Sequence, residues 1–151
     1  MDDNQPQKSA MDRRLRLRMT VAVLGLLIFV LGLSPGMFGL DRSPVVGFVQ
    51  IAVFLVGLAI ICLGGYFTLI ALWEGQEKTI KADIGFRMVA TGYVVAAASG
   101  MADVFGFGSQ PFPSTPYFGQ WQALGVMVGE LVIIIGFLLM IPYPRNISAE
   151  R

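Results

Sequence analysis

Four long apolar runs limit the possible folds of this chain more than any other feature of the sequence. They cover residues 19–40, 44–73, 86–107 and 121–143. Each run reaches the roughly 20 residues that a helix needs to cross a bilayer. A helix satisfies its backbone hydrogen bonds internally, whereas a spanning strand would need a closed barrel. We therefore predict an all-α integral membrane protein with four transmembrane helices.

The composition supports lipid as the solvent and argues against several classes of function. Residues are 55% hydrophobic and only 14% charged, against about 25% charged in soluble domains. The net charge of +1 gives no reason to expect a nucleic-acid partner. The chain has no histidine and one cysteine, Cys62, so the usual metal-ligand clusters and Ser-His or Cys-His nucleophiles are missing. We predict no enzymatic activity, no cofactor and no metal.

The distribution of lysine and arginine predicts the orientation in the membrane. Ten of the eleven basic residues would lie on one side if the four runs alternate in direction, and only Arg42 lies on the other. The positive-inside rule makes the basic side cytoplasmic. We thus expect a multi-pass protein of the cell membrane with both termini in the cytoplasm. Residues 1–18 would form a disordered basic tail, residues 19–143 the transmembrane domain, and residues 144–151 a short cytoplasmic tail. The ten residues are Lys8, Arg13, Arg14, Arg16, Arg18, Lys78, Lys81, Arg87, Arg145 and Arg151.

The second and fourth runs resemble each other when the sequence is shifted by 72 positions. A weaker match joins the first and third runs at a shift of 67, where Gly25 meets Gly92 and Phe38-Gly39 meets Phe105-Gly106. We interpret the matches as two tandem helical hairpins that arose by duplication. In each copy a hydroxyl residue precedes a proline, a pattern that predicts a helix cap. The pairs at a shift of 72 include Ser43-Pro44 with Thr115-Pro116, Gly47 with Gly119, Gln50 with Gln122, Gly57 with Gly129, and Gly64 with Gly136.

Small residues recur along one side of each predicted helix. In lipid such residues let helix backbones approach closely, so we expect them to close the bundle internally. A homo-oligomer that uses the same surfaces is the alternative. The predicted packing positions are Gly25, Gly32, Gly57, Gly64, Gly92, Gly100, Gly125, Gly129 and Gly136.

Two acids fall inside the predicted spans, and intramembrane acids are candidate functional groups by default. Glu130 lies about nine residues from Trp121, which places it roughly 13 Å deep. It is interpreted either as a protonated carboxyl bonded to Ser99 or Tyr93, or as a proton or cation site. Asp103 is expected near the outer boundary, as a cap or interfacial hydrogen bonder.

The remaining polar features lie at the predicted outer end. Gln50 and Gln122 are predicted to hydrogen-bond across the interface between the repeats. The uncharged loop 109–118 holds three prolines and three aromatic residues, which is typical of an interfacial lid or of a surface that docks a partner.

Two functions fit these features. The favoured one is a non-enzymatic scaffold or accessory subunit, whose partners are the lipid bilayer and other membrane subunits or a second copy of the chain. The alternative is a small proton- or cation-coupled transporter that uses Glu130, with Asp103 near its outer mouth.

Overall fold

The computed structural model of the chain describes residues 5–40, 47–73, 77–108 and 118–142, with side chains from Arg13 onward. Within these residues the structure is all-helical, as predicted, and has no strand. Helix α1 covers Gln5–Leu33, α2 Phe48–Leu72, α3 Ile80–Gly100 and α4 Gln120–Met140. A short 3₁₀ helix, Pro35–Phe38, follows α1.

Three of these helices are long and apolar enough to cross a membrane, over Arg13–Leu33, Phe48–Leu72 and Gln120–Met140. Their length and composition support a membrane protein. Helix α3 is less apolar, because Lys81, Asp83 and Arg87 lie within its first turns. Its N-terminus is capped by Thr79, whose Oγ1 accepts a hydrogen bond from the Ala82 N–H at 3.3 Å.

The helix boundaries differ from the predicted spans. α1 ends at Leu33 and not at 40, and α3 covers Ile80–Gly100 and not 86–107, because residues 101–106 form a turn. α1 begins at Gln5, within the tail predicted to be disordered. The stretch from Gln7 to Arg18 contains neither glycine nor proline, so a helix can propagate outward from the apolar run. α2 and α4 begin at Phe48 and Gln120, and the N-cap residues are Gly47 and Gly119.

The predicted hydroxyl caps are therefore wrong. Ser43 and Thr115 lie outside the described residues, four positions before the glycines that cap each helix. At α4 the capping oxygen comes instead from inside the helix, where Gln122 Oε1 accepts a hydrogen bond from the Gly119 N–H at 2.8 Å. This is one half of a capping box, with glutamine in the usual position.

Helices α1 and α2 pack closely at glycines that face the other helix. A Cβ atom added at Gly25 would lie 2.7 Å from the Ile61 nitrogen, and one at Gly64 would lie 2.7 Å from the Ala22 nitrogen. Gly32 and Gly57 face the backbone of Phe54 and Phe29 in the same way. Only residues without a side chain allow this separation of the backbones.

Helices α3 and α4 pack in the corresponding register. A Cβ at Gly92 would meet the Ile133 nitrogen at 2.9 Å, one at Gly129 the Ala96 nitrogen at 2.7 Å, and one at Gly136 the Val89 nitrogen at 2.9 Å. Adding 67 to a residue number in α1 and 72 to a residue number in α2 converts a contact between α1 and α2 into each of these contacts between α3 and α4. The counterparts are Gly25 with Ile61, Phe29 with Gly57, and Ala22 with Gly64.

The turns that follow α1 and α3 also share one backbone pattern. Each contains a glycine with positive φ, Gly39 at 67° and Gly106 at 79°. This left-handed conformation is readily available only to glycine. Two backbone hydrogen bonds of the first turn recur in the second. Gly39 N donates to Gly36 O at 3.1 Å, and Gly106 N donates to Asp103 O at 3.2 Å. Leu40 N donates to Pro35 O at 3.1 Å, and Phe107 N donates to Ala102 O at 2.8 Å.

Helix α2 lies at the centre of the molecule. The buried core joins it to α3 and α4 through two clusters, whereas α1 packs extensively on α2 alone. At the end of the bundle with Lys78, the Trp73 indole N–H donates a hydrogen bond to the Met140 carbonyl at 3.0 Å, which ties α2 to α4. The core residues are Leu58, Cys62, Val89, Ala96, Ile133 and Met140 in one cluster, and Ile51, Phe54, Leu55 and Val126 in the other.

Candidate functional site

Glu130, the central residue of α4, lies in an open groove between α1 and α4. The groove has a volume of about 210 Å³ and is mostly apolar. We name it the acidic groove. It forms because α1 and α4 both flank α2 but make little direct contact. Its lining consists of Gly32, Leu33, Gln50, Ile51, Phe54, Phe118, Ala123, Val126, Met127 and Glu130.

The Glu130 side chain is half-buried and faces the acidic groove. The preceding residue, Gly129, faces α3 instead. Gly129 contacts Gly92 and Ala96 of α3. Successive helical residues differ by about 100°, so Glu130 points to another side of α4. None of the side-chain hydrogen bonds found among the described residues involves its carboxyl.

The two residues predicted as partners of Glu130 lie elsewhere. The Ser99 hydroxyl is packed against Gly125 at the α3–α4 contact. Tyr93 lines a second groove, on another side of α2. The polar residue that shares the acidic groove with Glu130 is Gln50.

The matched glutamines Gln50 and Gln122 have different environments. Gln122 is buried, with 8% of its surface exposed, and caps its own helix through Gly119. Gln50 is half-buried and lines the acidic groove. The structure thus brings Gln50 to the groove and leaves Gln122 in a local role, and neither bonds the other across the repeat.

Asp103 is separate from this groove and lies in the turn after α3. Only 5% of its surface is exposed, and its Oδ1 has no hydrogen-bond partner among the described residues. Its Oδ1 packs so closely on Gly108 that any side chain there would overlap it. The carboxyl therefore lies beneath the returning chain, where glycine leaves space for it.

The sequence analysis missed the second groove, which we name the aromatic groove. It lies between the second half of α2 and the first half of α3, with a volume of about 400 Å³. Tyr66, Phe67, Phe86 and Tyr93 line it, and Lys78 Nζ lies 6.0 Å from the centre of the Tyr66 ring. The sequence does contain a signal for this groove. Aromatic residues cluster in the half of the second run and the half of the third run that lie nearer to Lys78.

Most of the predicted outer loop lies outside the described residues, and the described residues form no metal site. Of the loop 109–118, only Phe118 is described, and it lines the acidic groove. In the described parts of the chain, no three metal-ligating side chains of the His, Cys, Asp or Glu types come together.

The chain was also compared with models of known protein families, with curated proteins and with solved structures. None of the three comparisons found a match.

Proposed function

We propose that the chain spans the membrane four times, as two tandem hairpins, α1–α2 and α3–α4, derived by duplication of one hairpin. The shared register of the glycine contacts supports this, as do the matching turns at Gly39 and Gly106. Helix α3 occupies the position of the apolar segment Arg13–Leu33, since the ends Leu33 and Gly100 are 67 positions apart.

In this arrangement both termini lie in the cytoplasm, because the positive-inside rule places the basic end there. Glu77 and Met37 are exposed at opposite ends of the bundle. On a Cys62→Ala background, a Met37→Cys variant should react with an impermeant maleimide in intact cells, and Glu77→Cys only after permeabilisation. Labelling in the opposite sense would overturn the orientation.

The proposed function is that of a non-enzymatic scaffold or accessory subunit. The chain binds a helix of another membrane protein, which packs over the acidic groove. The observation that carries this proposal is the position of Glu130. It lies at the centre of α4, in an open lateral groove, without a bonded partner among the described residues. An intramembrane carboxyl in such surroundings is costly unless a donor reaches it.

The depth of Glu130 limits what that donor can be. Lipid headgroups do not extend to the bilayer centre, so the donor must come from a transmembrane helix. The groove is too small for a whole helix, about 10 Å across, but it accommodates one long side chain. We therefore specify the partner as a helix that lies across α1 and α4 and inserts a lysine, arginine or amide side chain.

The glycines of α2 and α4 support this location of the interface. Gly57 and Gly64 are covered by α1, and Gly129 and Gly136 by α3. They are used within the chain and are unavailable to a partner. The acidic groove combines an intramembrane carboxyl with exposed apolar residues such as Met127, which is 66% exposed.

Photocrosslinking in native membranes tests the proposal. A photoreactive amino acid at Met127 should give a discrete product with a membrane protein, whereas one at Val94, 63% exposed on α3, should not. The Met127 product should persist in Glu130→Gln, which retains a hydrogen-bonding group, and decline in Glu130→Leu.

Three results would overturn the scaffold proposal. The same product could form at both sites, the product could be insensitive to Glu130→Leu, or the crosslinked segment could lack a polar donor. A product with a second copy of this chain would replace the accessory role with self-assembly.

The alternative function is a proton- or cation-coupled transporter. The observation in its favour is that Glu130 and Gln50 both line a groove that is open to the surroundings. In reconstituted vesicles, Glu130→Gln would then abolish a proton flux that the original chain supports. Absence of flux from the original chain would eliminate this alternative.

A further inference from the structure

The aromatic groove lies where the close packing of the two helix pairs ends. Gly64 of α2 faces α1, and Gly85 and Gly92 of α3 face α4. These three glycines therefore point away from the space between α2 and α3, and the two helices pack on each other much less closely than the helices within each pair. This arrangement leaves the space of about 400 Å³ between α2 and α3.

The walls of the aromatic groove are apolar and rich in aromatic side chains. Tyr66 stacks on Phe86 with ring centres 4.6 Å apart and contacts Phe67 at 5.5 Å. Buried Cys62 and Val89 form its floor. Such a surface offers dispersion contacts along its length but almost no hydrogen-bonding groups, so it matches a hydrocarbon chain.

Positive charge lies at the end of the aromatic groove. The exposed Lys78 ammonium is close to Tyr66, and Arg18 donates a hydrogen bond to the Phe67 carbonyl at 3.3 Å. Among the described residues nearby, Asp83 and Arg87 pair with each other at 3.0 Å. Glu77 and Lys81 are both exposed and opposite in charge.

We propose that the aromatic groove binds an anionic glycerophospholipid, with one acyl chain between Tyr66 and Tyr93 and the phosphate against Lys78. The cation lies at the end of the helices, which is the depth of headgroups, whereas the aromatic side chains lie deeper. This arrangement separates the groove from the acidic one, whose carboxyl lies at the centre of α4. The lipid site is therefore independent of the proposed partner helix.

Native mass spectrometry of the purified chain in mild detergent tests the lipid site. Phosphatidylglycerol and phosphatidylcholine with identical acyl chains are added in turn, and the bound fraction is measured. Phosphatidylglycerol should bind more tightly than phosphatidylcholine. Lys78→Gln should weaken phosphatidylglycerol binding about fivefold, the effect of one basic residue near an anionic surface. It should weaken phosphatidylcholine binding less, because the choline ammonium already offsets the charge of that phosphate.

Matched variants separate the groove from general surface charge. Lys81→Gln removes the same charge from an exposed position that does not line the groove, and should change binding little. Ala90→Phe fills the groove from an exposed lining position and should abolish binding of both lipids. Val94→Phe, one turn further along α3, should have no effect.

The proposal is overturned by equal binding of the two lipids, or by equal effects of Lys78→Gln and Lys81→Gln. It is also overturned if Ala90→Phe still binds lipid. Circular dichroism of each variant establishes that it is folded, so that a loss of binding is assigned to the groove.

Discussion

Replacement of Gly129 by alanine tests the close contact between α3 and α4. The added Cβ would lie 2.6 Å from the Gly92 carbonyl oxygen and 2.7 Å from the Ala96 nitrogen, whereas ordinary contact begins at 3.4 Å. Both neighbours are backbone atoms, so no side chain can rotate away. The two helices must separate by roughly 1 Å, which forfeits a substantial part of the dispersion energy along their contact.

The expected net effect is a loss of about 1–2 kcal/mol in the free energy of unfolding. Overpacking of this kind costs about 1–3 kcal/mol. The higher helix propensity of alanine offsets up to about 1 kcal/mol of that cost. The loss can be measured by titration with sodium dodecyl sulfate, followed by circular dichroism. The buried thiol of Cys62 gives a second readout, because a thiol-reactive dye reaches it only on unfolding.

Gly100→Ala is the matched control, since a Cβ there would lie 3.4 Å from Ile51 and 3.6 Å from Leu55 and Val126. The new methyl group fits, so stability should stay the same or rise. The reasoning fails if Gly129→Ala is as stable as the original chain, or if Gly100→Ala is the more damaging of the two.

Two further predictions use the same titration. Gly57→Ala should destabilise the chain about as much as Gly129→Ala, because a Cβ at Gly57 would overlap the Phe29 backbone; a large difference between the two variants would count against the duplicated packing. Trp73→Phe removes the buried hydrogen bond to the Met140 carbonyl and should cost about 1 kcal/mol, and no loss would mean that this bond does not contribute.

The positions of the helices could be predicted because each depends on a local property, an apolar run of sufficient length. The prediction failed at the helix starts. Ser43-Pro44 and Thr115-Pro116 have the right residue types for a cap, but Gly47 and Gly119 adopt the extended conformation from which the helices begin. Sequence preferences alone do not decide between two cap candidates that lie four residues apart.

For Glu130, the sequence predicted the position along the helix but not the residues around it. Its depth follows from the count of residues along α4, and that estimate agrees with its central position in the helix. Its partner could not be found, because the surroundings depend on which helices flank α4. Ser99 and Tyr93 were the predicted partners, yet they face Gly125 and the aromatic groove. The same limit hid the grouping of Gln50 with Glu130, which requires α1 and α4 to lie apart on either side of α2.

The pairing of α1 with α2 has a consequence for biosynthesis. All of the closest α1 contacts, such as Gly25 with Ile61 and Gly32 with Phe54, join residues that leave the ribosome in quick succession. The first pair can therefore close before α3 has been translated, and the second pair can close in the same way. Contacts between near neighbours in sequence form quickly, because little chain entropy is lost in bringing them together. Assembly then ends with a single late step, the docking of two finished halves along α2.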